Sequence, residues 1–560
     1  MDGNTGARRA GGEILVDALQ GHGVERVFGV PGESYLAALD AFYGARNRIE
    51  FTVCRQEGGA AYMAEAWGKL TGRPGICFVT RGPGATNASI GVHAAMQDST
   101  PMILLVGQVA RDQADREAFQ EIDYRRMFAP VAKWVAQIED AARIPEYVSR
   151  AFHTAMSGRP GPVVLALPED MLRETATAVD VVAARPVRVS PGRADMAMLR
   201  AMLETAKRPL MIVGGAGWTE QASTDIQAYA KANNLPAGAA FRRQDCFDNY
   251  DPRYVGHIGI GINPALGQRV RDADLIVAVG PRLGEMTTAG YTLLEPPVPA
   301  QTLVHVHPDP NELNSVYRAA LAIASSPAEF AAAARATKRV DHAAWDDWTS
   351  AARADYLRHV EPVPNPGDLQ MAEIVAWLNE TLPDTAILTN GAGNYSIWLH
   401  RFYRWRRFHT QAAPTLGSMG YGVPAAVAAK LAYPDRTVVS FNGDGCFMMN
   451  GQELATAVQY GANVIFLVVN NGMYGTIRMH QERSYPGRVF GTELANPDFA
   501  ALARAYGANG EVVERTAEFA PAFERALAAD RPSLIELRID PEAITPTATL
   551  SGLRKTAKSV

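Results

Sequence analysis

The feature that most narrows what this chain can fold into is one strand–helix–strand unit with polar groups waiting at the exit of each strand. The apolar run Val438–Phe441 predicts a buried strand. Gln452–Tyr460 predicts a helix with Leu454, Ala455 and Val458 on one face, and Val464–Val469 predicts a second buried strand. A unit of this length makes its strands parallel neighbours joined by a right-handed crossover. Gly443-Asp444-Gly445 leaves the first strand, and Asn470-Asn471 leaves the second after the 24 residues 446–469. Asp444 and Asn471 are therefore expected side by side at the carboxyl ends of one sheet, where open α/β sheets bind ligands. Two hard oxygen donors, flanked by glycines that let backbone come close, suit a Mg²⁺ that also holds phosphate oxygens.

The same alternation of short apolar runs and helical periods fills the rest of the 560 residues. It builds parallel sheets covered by helices on both faces. The expected fold class is α/β: three doubly wound parallel-sheet domains at 8–173, 194–340 and 367–545, with a tail at 546–560. The first holds the strand-like runs Arg26–Gly29, Ile76–Thr80, Met102–Val106 and Val163–Leu167. The second holds Pro209–Gly214, Leu275–Gly280 and Leu303–His307, then an alanine-rich helix at Pro327–Ala336. Thr175–Arg193 reads as a linker. A charged stretch from Lys338 to about Arg358 leads to an extended, proline-studded connector at Glu361–Pro366. The first and third domains look like two copies of one fold type. Ser551–Val560 is basic and built of small residues, and is expected as a mobile tail or a lid.

Composition removes several classes. Net charge is −5, from 54 Lys and Arg against 59 Asp and Glu, with no long basic run, which argues against nucleic acid as a partner. No long uncharged apolar stretch predicts a membrane span, and the N-terminal segment lacks the apolar core of a signal peptide. Cys54, Cys77, Cys246 and Cys446 form no CxxC pair, so a reducing cytoplasm fits.

A second candidate region lies upstream, where Phe51–Val53 turns into a helix carrying Glu57 in its first turn. The plain reading of Glu57 is a carboxylate that complements the helix dipole, contributing about 0.3–1 kcal/mol. The following Gly58, Gly59, Ala60 and Ala61 permit close approach by another backbone or a flat ring. The segment sits between the turn Val27–Gly32 and the glycine-rich loop Arg81–Asn87.

Those three segments, the GDG–NN unit, Ala118–Glu121, Ser157–Pro162 and Gly417–Gly422 together resemble the acetolactate-synthase-like branch of the thiamine-diphosphate enzymes. The resemblance spans nearly the whole chain and names the domains pyrimidine-binding, central Rossmann-like and diphosphate-binding. It implies thiamine diphosphate and Mg²⁺ as cofactors, with side-chain ligands Asp444 and Asn471 and the Met473 carbonyl on the metal. Glu57 matches the acid that bonds the aminopyrimidine and lets its imino nitrogen take the C2 proton, after which the cofactor serves as electron sink. Gln120 is the second implied catalytic residue. Met419 matches the apolar wedge beneath the folded cofactor, a gap its flexible thioether suits. Pro31, Gly393, Asn394, Tyr395, Gly417, Gly443, Gly445, Tyr474 and Gly475 match cofactor contacts. The loop after Ala386–Thr389 offers backbone amides at a helix start, which bind anions well.

The resemblance thins at the substrate. Val30, Phe119 and Lys133 match positions near it, favouring a 2-oxo acid donor such as pyruvate. Acetolactate synthases carry a tryptophan where this chain has His480 and commonly a methionine where it has Thr476, so their usual acceptor preference does not transfer. A flavin-type arginine–phenylalanine run is replaced by Gly280–Thr288. Gly214–Gly217 lacks the full dinucleotide fingerprint, leaving FAD as the weaker expectation. The leading reading is a carboligase. A decarboxylase or a 2-hydroxyacyl-CoA lyase of the same family follows, with Thr80 where decarboxylases place a histidine. An NAD-dependent oxidoreductase leaves Glu57 and the GDG–NN pair unexplained. The resemblance also implies a homodimer or homotetramer with active sites at subunit interfaces.

Overall fold

The computed structural model describes residues 7–183 and 186–558. The first residues of the N-terminal segment, two residues of the expected linker and the last two of the expected tail lie outside the described residues. Three six-stranded sheets organise the chain. Every strand pair within them is parallel, and the inner strands are buried as nearly continuous apolar runs, as two-sided burial requires.

The chain forms two compact units. The first comprises residues up to Val187 together with Val427–Ala432 and Asn450–Ala462. Its sheet runs Glu50–Val53, Arg26–Gly29, Gly75–Val79, Met102–Gln108, Pro162–Pro168, Trp134–Gln137. Numbered in chain order this is 2-1-3-4-6-5, so the order reverses between Arg26–Gly29 and Gly75–Val79. The core packs Leu15, Leu19, Val27, Phe78, Leu105 and Leu165. Each such side chain contributes about 1.5–3 kcal/mol by leaving water. The helix Glu57–Thr71 starts because Gln56 caps it, its side-chain oxygen accepting from Gly59 N at 3.1 Å, and stops at Gly72 with φ +70°.

The second unit holds the other two sheets. The central one runs Tyr254–His257, Ala237–Ala239, Pro209–Val213, Leu275–Val279, Thr302–His307, Leu321–Ala324, the 3-2-1-4-5-6 order of a Rossmann fold. The last runs Gln411–Ala412, Ile387–Asn390, Val438–Gly443, Ile465–Asn470, Ser533–Arg538, Asn509–Val513. Its order is again 2-1-3-4-6-5, so the first and third sheets share one topology. Among the described residues no helix is long and apolar enough to cross a membrane.

Three segments differ from the reading of the sequence. The charged stretch contains a helix, Asp346–His359, which buries only Thr349, Ala352 and Tyr356 on one face and so hides in a charged composition. Part of the expected linker, Thr175–Thr177, pairs antiparallel with Arg8–Ala10. The expected tail forms a helix, Leu550–Lys558. Leu550 packs with Met479 and Ile544, and Arg554 meets Glu482.

Candidate active site

In the second unit, the reversal of the last sheet lies between Ile387–Asn390 and Val438–Gly443. The loops leaving these strands and Ile465–Asn470 enclose a cavity of about 240 Å³. Gly393, Asn394, Tyr395, Gly417, Met419, Gly443, Asp444, Gly445, Asn471, Met473, Tyr474, Gly475 and Thr476 all line it, so residues up to 83 positions apart in sequence meet in one place. The glycines keep it open. A Cβ at Gly445 would stand 2.6 Å from the Tyr474 ring, and one at Gly393 would stand 2.8 Å from the Tyr395 ring. Such a backbone-lined hollow at strand ends and a helix start fits a diphosphate.

Asp444 is 3% exposed. Its Oδ1 accepts from Gly445 N at 2.9 Å, and its Oδ2 accepts from Gly472 N at 2.9 Å and Asn496 Nδ2 at 2.8 Å. Burial pushes this carboxyl up from its ordinary range, and these bonds pull against it. Asn496 also donates to Asn470 Oδ1 at 2.9 Å, and Asn470 Nδ2 donates to the buried Glu536 at 2.7 Å. A side-chain chain thus braces Asp444 from behind. Asn471 Oδ1 accepts from Met473 N at 3.3 Å, a turn that keeps its amide beside the cavity. Among the described residues no group of three or more His, Cys, Asp and Glu forms a metal cluster. An ion here would therefore take Asp444, Asn471 and a backbone carbonyl, and complete its shell with phosphate oxygens, as Mg²⁺ does. The donor set fits.

Asn394 is locked by Thr476: its N–H donates to Oγ1 at 3.1 Å, and that hydroxyl donates to Oδ1 at 3.0 Å. Tyr395 donates to Cys446 Sγ at 3.4 Å. Met419 is half-buried against the core of the last sheet while facing the cavity. His480 is exposed on the helix Gly475–Ser484. That helix is tied at its far end, where the buried Glu482 meets Arg478 and Arg554. Mainly through Arg554, the Glu482 carboxyl is pulled down to about 2. In the central sheet, the Gly214–Gly217 run leads into a helix already capped by Thr219, with Glu220 in its first turn. That arrangement does not suit a dinucleotide phosphate.

In the first unit, Glu57 is half-buried and its Oε2 accepts from Asn87 Nδ2 at 2.9 Å. The expected glycine-rich loop is already helical from Pro83. A Cβ at Gly84 would lie 3.6 Å from Glu57 Oε1, so the first turn of the helix Pro83–Asp98 runs directly past the acid. Gln120 has φ +65°, and its backbone packs so close to Gly82 that a Cβ there would stand 2.8 Å away. Arg81 holds this loop by donating to Phe119 O at 3.0 Å, leaving the Phe119 ring 71% exposed. Val30 O accepts from Tyr35 Oη at 2.5 Å, and Pro31 follows, exposed. Glu57, the Thr80–Gly82 turn with the first turns of the helix Pro83–Asp98, and Gln120 therefore share one end of the first sheet. Lys133 is engaged elsewhere. Its ammonium donates to Thr154 O at 2.5 Å and Ser157 O at 2.6 Å, closing the helix Ile144–Met156 where a cation suits the dipole.

Sequence reasoning missed Asn470 as a brace, Asn496 and Glu536. Asn496 lies in an irregular segment with no local pattern, so only the folded arrangement reveals it.

Comparison with known proteins adds independent findings. Family models described as the N-terminal TPP-binding, central and C-terminal TPP-binding domains of thiamine pyrophosphate enzymes match residues 9–127, 196–334 and 391–537. The chain is 32% identical over 557 residues to the acetolactate synthase large subunit of Parasynechococcus marenigrum, covering 96% of this chain and 89% of that one. It is 30% identical over 536 residues to the acetolactate synthase isozyme 2 large subunit of Escherichia coli, covering 95% of each.

Proposed function

Because the chain belongs to the thiamine pyrophosphate enzymes and is an acetolactate-synthase-like, carbon–carbon bond-forming member, we propose that it is a Mg²⁺-dependent carboligase. It would decarboxylate a 2-oxo acid, with pyruvate favoured, and join the remaining unit to a second carbonyl. The observation that carries this is the convergence of the loops at Gly393, Asp444 and Asn471 on one cavity, with an acid, two amides and glycine-lined walls. Thiamine diphosphate, when bound, supplies the electron sink for decarboxylation and transfer.

The chain's own residues would do the rest. Asp444, Asn471 and the Met473 carbonyl hold the metal, and the Gly393–Tyr395 and Tyr474–Gly475 backbone meets the diphosphate. Met419 packs beneath the cofactor. Glu57 holds the pyrimidine proton, with Asn87 steering its carboxylate. Gln120, Phe119 and Val30 face the substrate, and Thr476 and His480 border the acceptor. The proposal includes a cytoplasmic homodimer or homotetramer whose sites need two subunits.

Incubation with thiamine diphosphate, Mg²⁺ and a panel of 2-oxo acids, scored for CO₂ and condensed products, tests this reading. CO₂ with an aldehyde and no condensed product would make the protein a decarboxylase. No calorimetric binding of thiamine diphosphate would sink the reading altogether. A fully active monomer in sedimentation would refute the shared site.

A further inference from the structure

The short helix Glu453–Gln459 carries an acid that the metal and cofactor readings do not use. Glu453 is fully buried. Its Oε1 accepts from Arg55 N and Gln56 N, each at 3.0 Å, and its Oε2 accepts from the Thr456 hydroxyl at 2.6 Å. Those two amides are the last before Glu57, where the next helix begins. A buried carboxylate is costly unless donors surround it, and here three converge. The carboxylate accepts from all three at once. A carboxamide would have one uncharged oxygen for the two amides and would force the Thr456 hydroxyl to turn from donor to acceptor, so the charge-assisted bonds are lost. Space for the acid comes from Gly59, one turn into the Glu57 helix, where a Cβ would stand 2.5 Å from Glu453 Oε1.

Neighbouring residues hold the preceding strand. The Tyr460 hydroxyl accepts from Val53 N at 2.7 Å, and Gln459 Oε1 accepts from Arg55 Nη2 at 2.6 Å. Glu50–Val53 is the edge of its sheet, where backbone groups on one side have no neighbouring strand. Strand end, turn and helix start are thus gripped from one short segment.

We propose that Glu453 is a positioning residue for Glu57: by fixing the Arg55–Gln56 peptides it fixes the direction in which Glu57 leaves the backbone. The role rests on the reading of Glu57 as the acid that serves the cofactor's pyrimidine.

The test uses Glu453→Gln and, from the opposite side, Gly59→Ala, which keeps the acid but crowds it. In the full chain without cofactor, amide hydrogen exchange at Arg55 and Gln56 is expected to quicken at least tenfold in each, while Met102–Gln108 keeps its protection. With thiamine diphosphate and Mg²⁺ bound, C2 proton exchange is expected to slow at least tenfold at cofactor affinity unchanged within twofold. In a Glu57→Gln background neither substitution should slow it further, because both act through Glu57. Additive losses, or protection lost at Met102–Gln108 as well, would make Glu453 a fold anchor and overturn the proposal. A clear Glu57→Gln defect beside silent Glu453→Gln and Gly59→Ala would sink the positioning role alone. Unchanged exchange in Glu57→Gln would instead remove the reading of Glu57, and this role with it.

Discussion

Replacing Asn496 by alanine removes a side-chain donor to Asp444 and tests how firmly the metal ligand is aimed. The lost bond is 2.8 Å long and ends on a carboxylate. Hydrogen bonds to charged groups contribute about 1.5–3 kcal/mol. Asp444 keeps the amides of Gly445 and Gly472, both at 2.9 Å, so its backbone restraints survive. The loss in affinity should therefore fall in the lower part of that range, about 1.5–2 kcal/mol, or roughly ten- to thirty-fold. That agrees with the usual cost of removing a partner of a metal ligand. The assay is calorimetric titration of thiamine diphosphate at saturating Mg²⁺, then of Mg²⁺ at fixed cofactor. Affinity within twofold of the parent would show that the backbone amides alone aim Asp444. A loss beyond about a hundredfold would exceed what one second-layer bond supplies, and would mean that Asn496 itself contacts the ligand.

Gly445→Ala should weaken cofactor binding more than tenfold, because its methyl group would overlap the Tyr474 ring; unchanged titration curves would show that the ring moves aside freely. Thr476→Val removes both bonds to Asn394 and should cost about 1–3 kcal/mol in denaturant unfolding, with an unaltered midpoint counting against it. The Glu482 carboxyl sits near 2 when folded against 4.5 ordinarily, so its stabilisation is complete above pH 4.5 and fades as pH falls toward 2. Arg554→Met should therefore lower stability at neutral pH by an amount that shrinks on acidification, as melting curves from pH 6 to pH 3 would reveal. A gap that widens toward acid would contradict the assignment.

Much of this molecule was legible because parallel strands buried on both faces read as unbroken apolar runs. Met102–Val106 and Val438–Phe441 needed no partner to be recognised, and Pro327–Ala336 was legible from its run of alanines, to which the structure adds a Ser326 cap and a first-position proline. The glycines and polar groups of the cavity were legible because each follows a strand end at short range. What escaped notice depends on distant pairing. Glu453 looks like any acid on a half-exposed helix until Arg55 and Gln56, almost 400 positions earlier, point their amides at it. Asp346–His359 escaped because a helix that buries three residues needs little apolar sequence.

The membership of Asn450–Ala462 in the first compact unit has a practical consequence. A gene cut near codon 187 would give a leading fragment lacking the short helix that grips its edge strand, and a trailing fragment with that helix stranded. Dissecting the molecule into halves for separate expression should therefore fail on both sides. Coexpressed fragments split inside an exposed turn such as Gly487, whose φ is +78°, are the better route to a reconstituted protein.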